Sequence, residues 1–136
     1  MELQVTNKEG KVFMQIKHFP NDNILYINWI GEYISMGDAK RGSVLALEKI
    51  KELQIHKILN DNTQLSIAWD TLNDWVKDFW IPNALALGVK KFAHIASEDL
   101  FTLLSAEFME ENAKLLGLPM KIFQQRPDAL AWLREG

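Results

Sequence analysis

The N-terminal part of the chain alternates between apolar and polar residues with the two-residue period of a β-strand. This pattern predicts strands over residues 3–6, 12–18 and 24–30. The third segment is apolar on both faces apart from Asn28, which is typical of a strand at the centre of a sheet. The segments NKEG and PNDN have the composition of tight turns, so the three strands are expected to form an antiparallel β-meander.

Beyond Gly31 the apolar period becomes that of helices, which alternate with short strands. Ser35 and Asp38 resemble a capping box, with Asp in place of the usual Glu, and predict the start of the first helix. The second helix begins near residue 70, and Pro82 predicts a kink or a restart within it. The third helix is expected to begin at Ser97, which would cap it, and to end at Gly117. The last helix is expected to begin at residues 126–128. Short strands are expected between the helices, over residues 56–61, 91–96 and 120–123.

This order of elements predicts an α/β fold. Strands joined by helices are parallel, whereas the meander is antiparallel, so the sheet is mixed: an N-terminal β-meander followed by αβαβαβα units. We expect a single domain over residues 1–136. In such sheets a ligand usually lies beyond the carboxyl ends of the parallel strands.

Composition excludes several functional classes. The chain has 15 Lys and Arg against 18 Asp and Glu, a net charge of −3, which argues against binding to nucleic acid. It contains no cysteine, which excludes disulfide scaffolds, thiolate metal sites and cysteine nucleophiles. Neither a signal peptide nor an apolar run long enough to span a membrane is predicted, so we expect a cytoplasmic protein.

The element order, the segment GVKKFA at 88–93 and the closing segment from Phe123 to DALAWL at 128–133 resemble the STAS superfamily. More narrowly, they resemble the bacterial STAS-like branch that is grouped with anti-sigma-factor antagonists and CRAL-TRIO lipid-binding domains. The resemblance covers about residues 11–135. It implies a STAS-like fold and a non-enzymatic role as a binding or protein-interaction module, which could be regulatory, with no cofactor.

The resemblance also implies a place for a phosphorylation switch. In the antagonists a strand that ends in an acidic residue is followed by an Asp-Ser-Ser-Gly turn, which carries the phosphorylated serine. Asp61 matches the acidic residue, and Asp70 and Thr71 match the start of the turn, so Thr71 would be the phosphoacceptor. The sequence departs from this pattern at Leu72 and Asn73, which replace the second hydroxyl and the glycine.

Polar residues at the predicted strand ends form a candidate site for a ligand or a partner. Asp61, Asn62 and Thr63 follow a short apolar strand, and Ser97 follows the next one. Loops at strand ends carry binding residues disproportionately. The alternative is that these side chains only bond their own backbone in turns and caps.

The chain has five tryptophans, and two of them are candidates for a pocket or an interface. Trp29 and Trp75 fit apolar stripes and are expected in the core. Trp69 and Trp80 lie outside the stripe of the second helix, where tryptophan is typical of a pocket or a protein interface. The alternative is that the helix simply packs on the sheet over a wide arc.

Neither the histidines nor the acidic residues predict a metal site. No two histidines are three or four residues apart, and His94 is expected to be a hydrogen-bonded histidine on a sheet face. Asp70, Asp74 and Asp78 share a helix face that could gather a cation, but a solvated acidic stripe is the favoured explanation of the spacing.

Three functional classes therefore stay open. The prediction is a non-enzymatic interaction module, acting through the loop at 61–71 and the exposed face of the 70–87 helix, and we expect a homodimer. The alternative is a carrier of a small apolar or lipid-like ligand, held between the sheet and Trp69 and Trp80. The third class is an enzyme that uses Asp61, Asp70 or His94, but the spacing of these residues in the sequence does not indicate a set of nucleophile, base and orienting group.

Overall fold

A six-stranded sheet runs through the molecule, and its strands lie in the order in which they occur in the chain. The computed structural model describes residues 1–66 and 70–135, without the side chains of Asp70 and Thr71. The strands are β1 (Glu2–Thr6), β2 (Val12–Phe19), β3 (Ile24–Gly31), β4 (Lys57–Leu65), β5 (Lys91–Ile95) and β6 (Met120–Phe123).

The sheet is mixed, as predicted. Strands β1, β2 and β3 pair antiparallel, and β3, β4, β5 and β6 pair parallel. Asn7 accepts hydrogen bonds from the backbone within the first turn, and Gly10 takes the left-handed φ of 83° that closes it. The predicted α/β class is therefore confirmed.

Five α-helices connect or follow the parallel strands in the described residues. Ser35 caps the first of them by accepting a hydrogen bond from the backbone N–H of Asp38, which confirms the predicted start. The helices are α1 (Met36–Leu53), α2 (Asp70–Trp75), α3 (Ile81–Ala86), α4 (Leu100–Leu116) and α5 (Arg126–Arg134), and a π-helical turn over Val76–Trp80 joins α2 to α3. None of these helices is both long and apolar enough to cross a membrane.

The helices cover the two faces of the sheet unequally. Each crossover advances by one strand in the same direction, so right-handed connections place α1, the helices between β4 and β5, and α4 on one face. We call this the front face, and it holds the larger core, which includes Ile27 and Trp29 of β3. The opposite back face holds a smaller core around Tyr26, which α5 covers with Ala129 and Leu133.

The helical segment between β4 and β5 differs from its predicted packing. The predicted stripe of this helix leaves Trp80 outside, but the structure buries Trp80 and exposes its neighbour Phe79. The cause is the π-helical turn, in which the N–H of Ile81 bonds the carbonyl of Val76 five residues earlier. The extra residue rotates Trp80 towards the sheet. The predicted restart at Pro82 is confirmed, because Pro82 lies in the first turn of α3.

The start of α4 also differs from the prediction. Asp99, not Ser97, is the N-cap, and its carboxylate accepts hydrogen bonds from the backbone N–H and hydroxyl of Thr102. These bonds lower the pKa of the Asp99 carboxyl. Ser97 instead donates its hydroxyl to the carbonyl of Leu65 at 2.7 Å, which ties the end of β5 to the end of β4.

Candidate functional site

A cavity of about 70 Å³ lies on the front face, between β3, β4 and β5 and the helices that cover them. Most of its wall is apolar, and Trp29, Trp80 and Phe92 contribute aromatic rings to it. Trp80 meets Phe92 edge-on, with ring centroids 5.7 Å apart. Polar residues line it from both sides: Asn60, Asn62 and His94 on the strands, and Ser43, Asn73, Thr102 and Ser105 on the helices. We call this space the His94 cavity.

The register of the parallel strands brings the three polar side chains on the strands together. Asn60 of β4 is paired with His94 of β5, so their side chains stand beside each other on the front face. Asn62 lies two residues after Asn60 and therefore points to the same side of the sheet. The site is thus built on adjacent central strands rather than on loops.

Strand β4 continues through the segment predicted as a loop. The predicted strand ends at Asp61, whereas the structure extends it to Leu65, so residues 60–63 lie within a strand. The pairing with β3 shifts between Asn28 and Ile30, which face Asp61 and Gln64. This bulge inserts one residue in β4 and reverses the alternation after it, so that Leu65 lines the cavity.

A chain of hydrogen bonds links the polar groups of the cavity. The indole N–H of Trp29 donates to Oδ1 of Asn60 at 3.0 Å. Nδ2 of Asn60 donates to Oδ1 of Asn62 at 3.3 Å and lies 3.0 Å from Nδ1 of His94. Both polar atoms of the Asn60 amide are therefore engaged, and the side chain is held in one orientation.

His94 is the most unusual group in the cavity. Its side chain is only 2% exposed, and burial lowers its pKa from 6.5 to about 4, against a smaller opposing effect of the Asp61 charge. Its Nε2 is buried and has no hydrogen-bond partner among the described residues. The expectation of a hydrogen-bonded histidine on a sheet face holds for Nδ1 but not for Nε2, and a buried polar atom of this kind requires an explanation.

Asp61 belongs to a different cluster, on the back face. The hydroxyl of Tyr26 donates to Oδ2 of Asp61 at 2.7 Å, and the N–H and hydroxyl of Thr63 donate to Oδ1. The guanidinium of Arg126 lies 3.7 Å from the carboxylate and 4.6 Å from the centre of the Tyr26 ring. Burial and the bond to Asp61 raise the pKa of Tyr26 to about 12. This cluster holds α5 against the sheet.

The predicted site residues consequently separate. Asn62 and Trp80 line the His94 cavity, whereas Asp61 and Thr63 lie in the back-face cluster and Ser97 joins β5 to β4. Trp69 lies outside the described residues. The backbone of Thr71 is in the first turn of α2, and its side chain is outside the description.

Trp80 does not support the predicted partner surface. It is 4% exposed, and its indole N–H donates to the carbonyl of Ser43 on α1 at 2.9 Å. The interpretation of Trp80 as an interface residue was therefore wrong, because the π-helical turn rotates it inward. Its alternative assignment, to the wall of a pocket, agrees with the structure.

Sequence reasoning missed the pairing of Asn60 with His94. The strand bounds predicted from the sequence, 56–61 and 91–96, place Asn60 four residues and His94 three residues after the start, so aligning them does not pair these positions. In the structure both residues lie three positions after the first residue of their strand. The register that draws attention to His94 therefore comes from the structure.

The described residues contain no cluster of three or more histidine, aspartate or glutamate groups that could hold a metal ion. Searches against protein-family models, curated proteins and solved structures found no match to this chain. The STAS resemblance thus stays a prediction. The chemistry open to the site follows from its own geometry.

Proposed function

We propose that this protein is a non-enzymatic binding module that holds a small, largely apolar molecule in the His94 cavity. The observation that carries the proposal is the buried Nε2 of His94, which has no partner in the described part of the chain. A buried polar group left without a hydrogen bond costs about 1–3 kcal/mol. A ligand that supplies the missing bond would recover this energy.

The size and walls of the cavity support a small ligand. At about 10–15 Å³ for each water-sized position, 70 Å³ accommodates roughly five such positions. This suits a molecule of about five or six non-hydrogen atoms, or one end of a larger one. The aromatic rings of Trp29, Trp80 and Phe92 favour an apolar body.

The surroundings of His94 favour binding over catalysis. In the residues described, the only hydrogen bond of its ring is the one that Nδ1 makes with the amide of Asn60, and an amide is a poor proton acceptor. The nearest buried carboxylate, that of Asp61, is directed to the back face and is engaged by Tyr26 and Thr63. In the described part of the chain no hydroxyl or carboxylate is hydrogen-bonded to the His94 ring, so no set of nucleophile, base and orienting group is assembled there.

Nuclear magnetic resonance of alanine methyl groups tests this proposal directly. Ala46 and Ala106 line the cavity, and Ala131 lies on α5 behind the sheet. We expect saturable shifts of the first two methyl signals, but not of the third, on addition of methylenecyclopentane or cyclopentanone. No shift at millimolar concentrations of either probe would contradict the proposal.

A cavity-filling variant provides the matched control. Ala106→Val adds two methyl groups at the cavity wall and should weaken binding of both probes at least tenfold, with Ala46 as the reporter. Ala131→Val makes the same chemical change at an exposed helical position and should leave binding unchanged. Equal effects of the two substitutions would show that the probes bind elsewhere.

Self-association is a second candidate function, and the exposed face of α4 favours it. Phe101, Phe108 and Leu115 recur at seven-residue spacing, Leu104 lies between them, and the four are 66%, 55%, 85% and 41% exposed. This is the spacing of a helix–helix seam, and a second copy of the chain offers the same seam in a twofold dimer.

The area of this stripe is compatible with part of a dimer interface. The two phenylalanines expose roughly 200–300 Å² together, taking about 150–250 Å² for a whole aromatic side chain. A stable dimer buries about 800 Å² on each partner, so the leucines and the flanking side chains must supply the rest.

Light scattering coupled to size-exclusion chromatography tests the dimer. The wild type should elute at twice the mass of the chain, and Phe108→Glu should convert it to a monomer. Lys51→Glu, at an exposed position of α1, should leave the mass unchanged. A monomeric wild type would refute self-association through α4 and leave the cavity proposal intact.

A further inference from the structure

The donor-only chemistry of tryptophan fixes the direction of the hydrogen bonds in the cavity. The indole N–H of Trp29 has no lone pair to offer, so the atom of Asn60 that it meets must be the carbonyl oxygen. The amide nitrogen of Asn60 therefore faces Asn62 and His94. Its two hydrogens are both used, one for each of these neighbours.

This direction determines the tautomer of His94. The amide nitrogen of Asn60 donates, so Nδ1 of His94 must accept and cannot carry a proton. The neutral ring therefore carries its proton on Nε2, which is the atom without a partner among the described residues. Burial keeps the ring neutral at pH 7, since it lowers the pKa to about 4.

Asn62, which lines the same cavity, is a second candidate donor. Its Oδ1 accepts from Asn60, so its Nδ2 is the free end of the amide, and the structure gives that nitrogen no hydrogen bond within the described residues. None of the described residues that line the cavity is Lys, Arg, Asp or Glu. An ionised ligand would therefore lose its hydration without gaining an opposite charge.

From this geometry we infer that the ligand carries a neutral carbonyl-type oxygen, which accepts hydrogen bonds from Nε2–H of His94 and the side-chain amide of Asn62. The inference rests on the proposed function and goes further, because it states which chemical group the cavity selects. An alcohol or amine that must donate would find no acceptor on His94, and on Asn62 only the oxygen that already accepts from Asn60.

Two isosteric probes test the selected group. Cyclopentanone and methylenecyclopentane are nearly the same size. The ketone carries a C=O group, which accepts hydrogen bonds, where the alkene carries a C=CH₂ group, which does not. The carbonyl of the ketone loses its hydrogen bonds to water on entering the cavity, a cost that the alkene does not have. The donors of the cavity replace those bonds, so we expect the ketone to bind at least as tightly as the alkene. Binding of the ketone at least tenfold weaker than that of the alkene would overturn the inference while the proposed function stands, whereas binding of neither would overturn both.

A second measurement is made on the ligand-free wild type, so it does not require a variant that folds. The ¹⁵N chemical shifts of the His94 ring distinguish the Nε2–H tautomer from the Nδ1–H tautomer. We expect Nε2–H, and Nδ1–H would overturn the inference whatever the probes do. His94→Phe removes the donor but keeps an aromatic ring, so the affinity for the ketone relative to the alkene should fall about tenfold. An unchanged ratio of the two affinities would also overturn the inference.

Discussion

The buried, neutral His94 should make the protein less stable as the pH falls below 7. In the unfolded chain the ring takes up a proton near its usual pKa of 6.5, whereas in the folded protein the pKa is about 4. Between these values the unfolded state binds more protons than the folded state. Stability is therefore complete above pH 6.5 and is lost as the pH falls towards 4.

The size of this effect follows from the two pKa values. Each unit of difference corresponds to about 1.4 kcal/mol, so the full loss attributable to His94 is about 3 kcal/mol. Between pH 7 and pH 5 it is about 2 kcal/mol, and over this range most carboxylates stay ionised. This is a large share of the roughly 5–15 kcal/mol that stabilises a typical domain.

Urea denaturation at pH 7, 6 and 5 measures the effect. His94→Gln retains a side-chain oxygen that can accept from Asn60 but does not titrate, so its stability should depend on pH about 2 kcal/mol less than that of the wild type. His56→Gln, at an exposed position, should keep the pH dependence of the wild type. A difference in stability between a variant and the wild type that is the same at every pH does not matter, because only the change of stability with pH is compared.

A direct titration of the His94 ring by nuclear magnetic resonance completes the test. A pKa near 6.5 in the folded protein would refute the reasoning, because it would mean that the ring is not isolated from water. So would an equal pH dependence of the wild type and His94→Gln.

Two further pairs of substitutions, each a test and its control, examine packing and the back-face cluster. A β-carbon added at Gly42 would lie 2.7 Å from Sδ of the fully buried Met14, so Gly42→Ala should lower the free energy of unfolding by about 1–3 kcal/mol. Gly37 has open space around it, so Gly37→Ala should raise the free energy of unfolding by up to about 1 kcal/mol. Urea denaturation measures both changes. Tyr26→Phe removes the donor to a buried carboxylate and should cost about 1–3 kcal/mol, whereas Tyr33→Phe, at an 81% exposed position, should cost nothing measurable. In an absorbance titration at alkaline pH, Tyr26 should keep its proton beyond about pH 11, and Tyr26→Phe should remove that late phase.

The elements that could be predicted from the sequence are those whose signals are local. The turn at Gly10, the cap at Ser35 and the restart at Pro82 each depend on a few neighbouring residues, and all three are confirmed. The alternation of the first strands and the helical spacing afterwards were sufficient for the mixed α/β sheet. Period and turn chemistry are properties of a short window of sequence.

The features that could not be predicted depend on contacts between distant segments. Polar residues normally end a strand, but Asn60 and Asp61 find partners in Trp29 and Tyr26, so β4 continues through them. The π-helical turn that buries Trp80 likewise reflects its packing against the sheet and α1 rather than a local preference. The candidate site lies where these long-range effects concentrate.

The unequal covering of the two faces has a consequence for the order of folding. The front-face helices each join neighbouring strands, so they can form while the sheet grows. The back face is covered only when α5 docks, and the hydrogen bond from Arg134 of α5 to Asp22 joins residues 112 positions apart in the sequence. Closing so long a loop is entropically slow, and we expect docking of α5 to be a late event. In the native protein α5 should also open first, so its amide hydrogens should exchange well before those of β3 and β4.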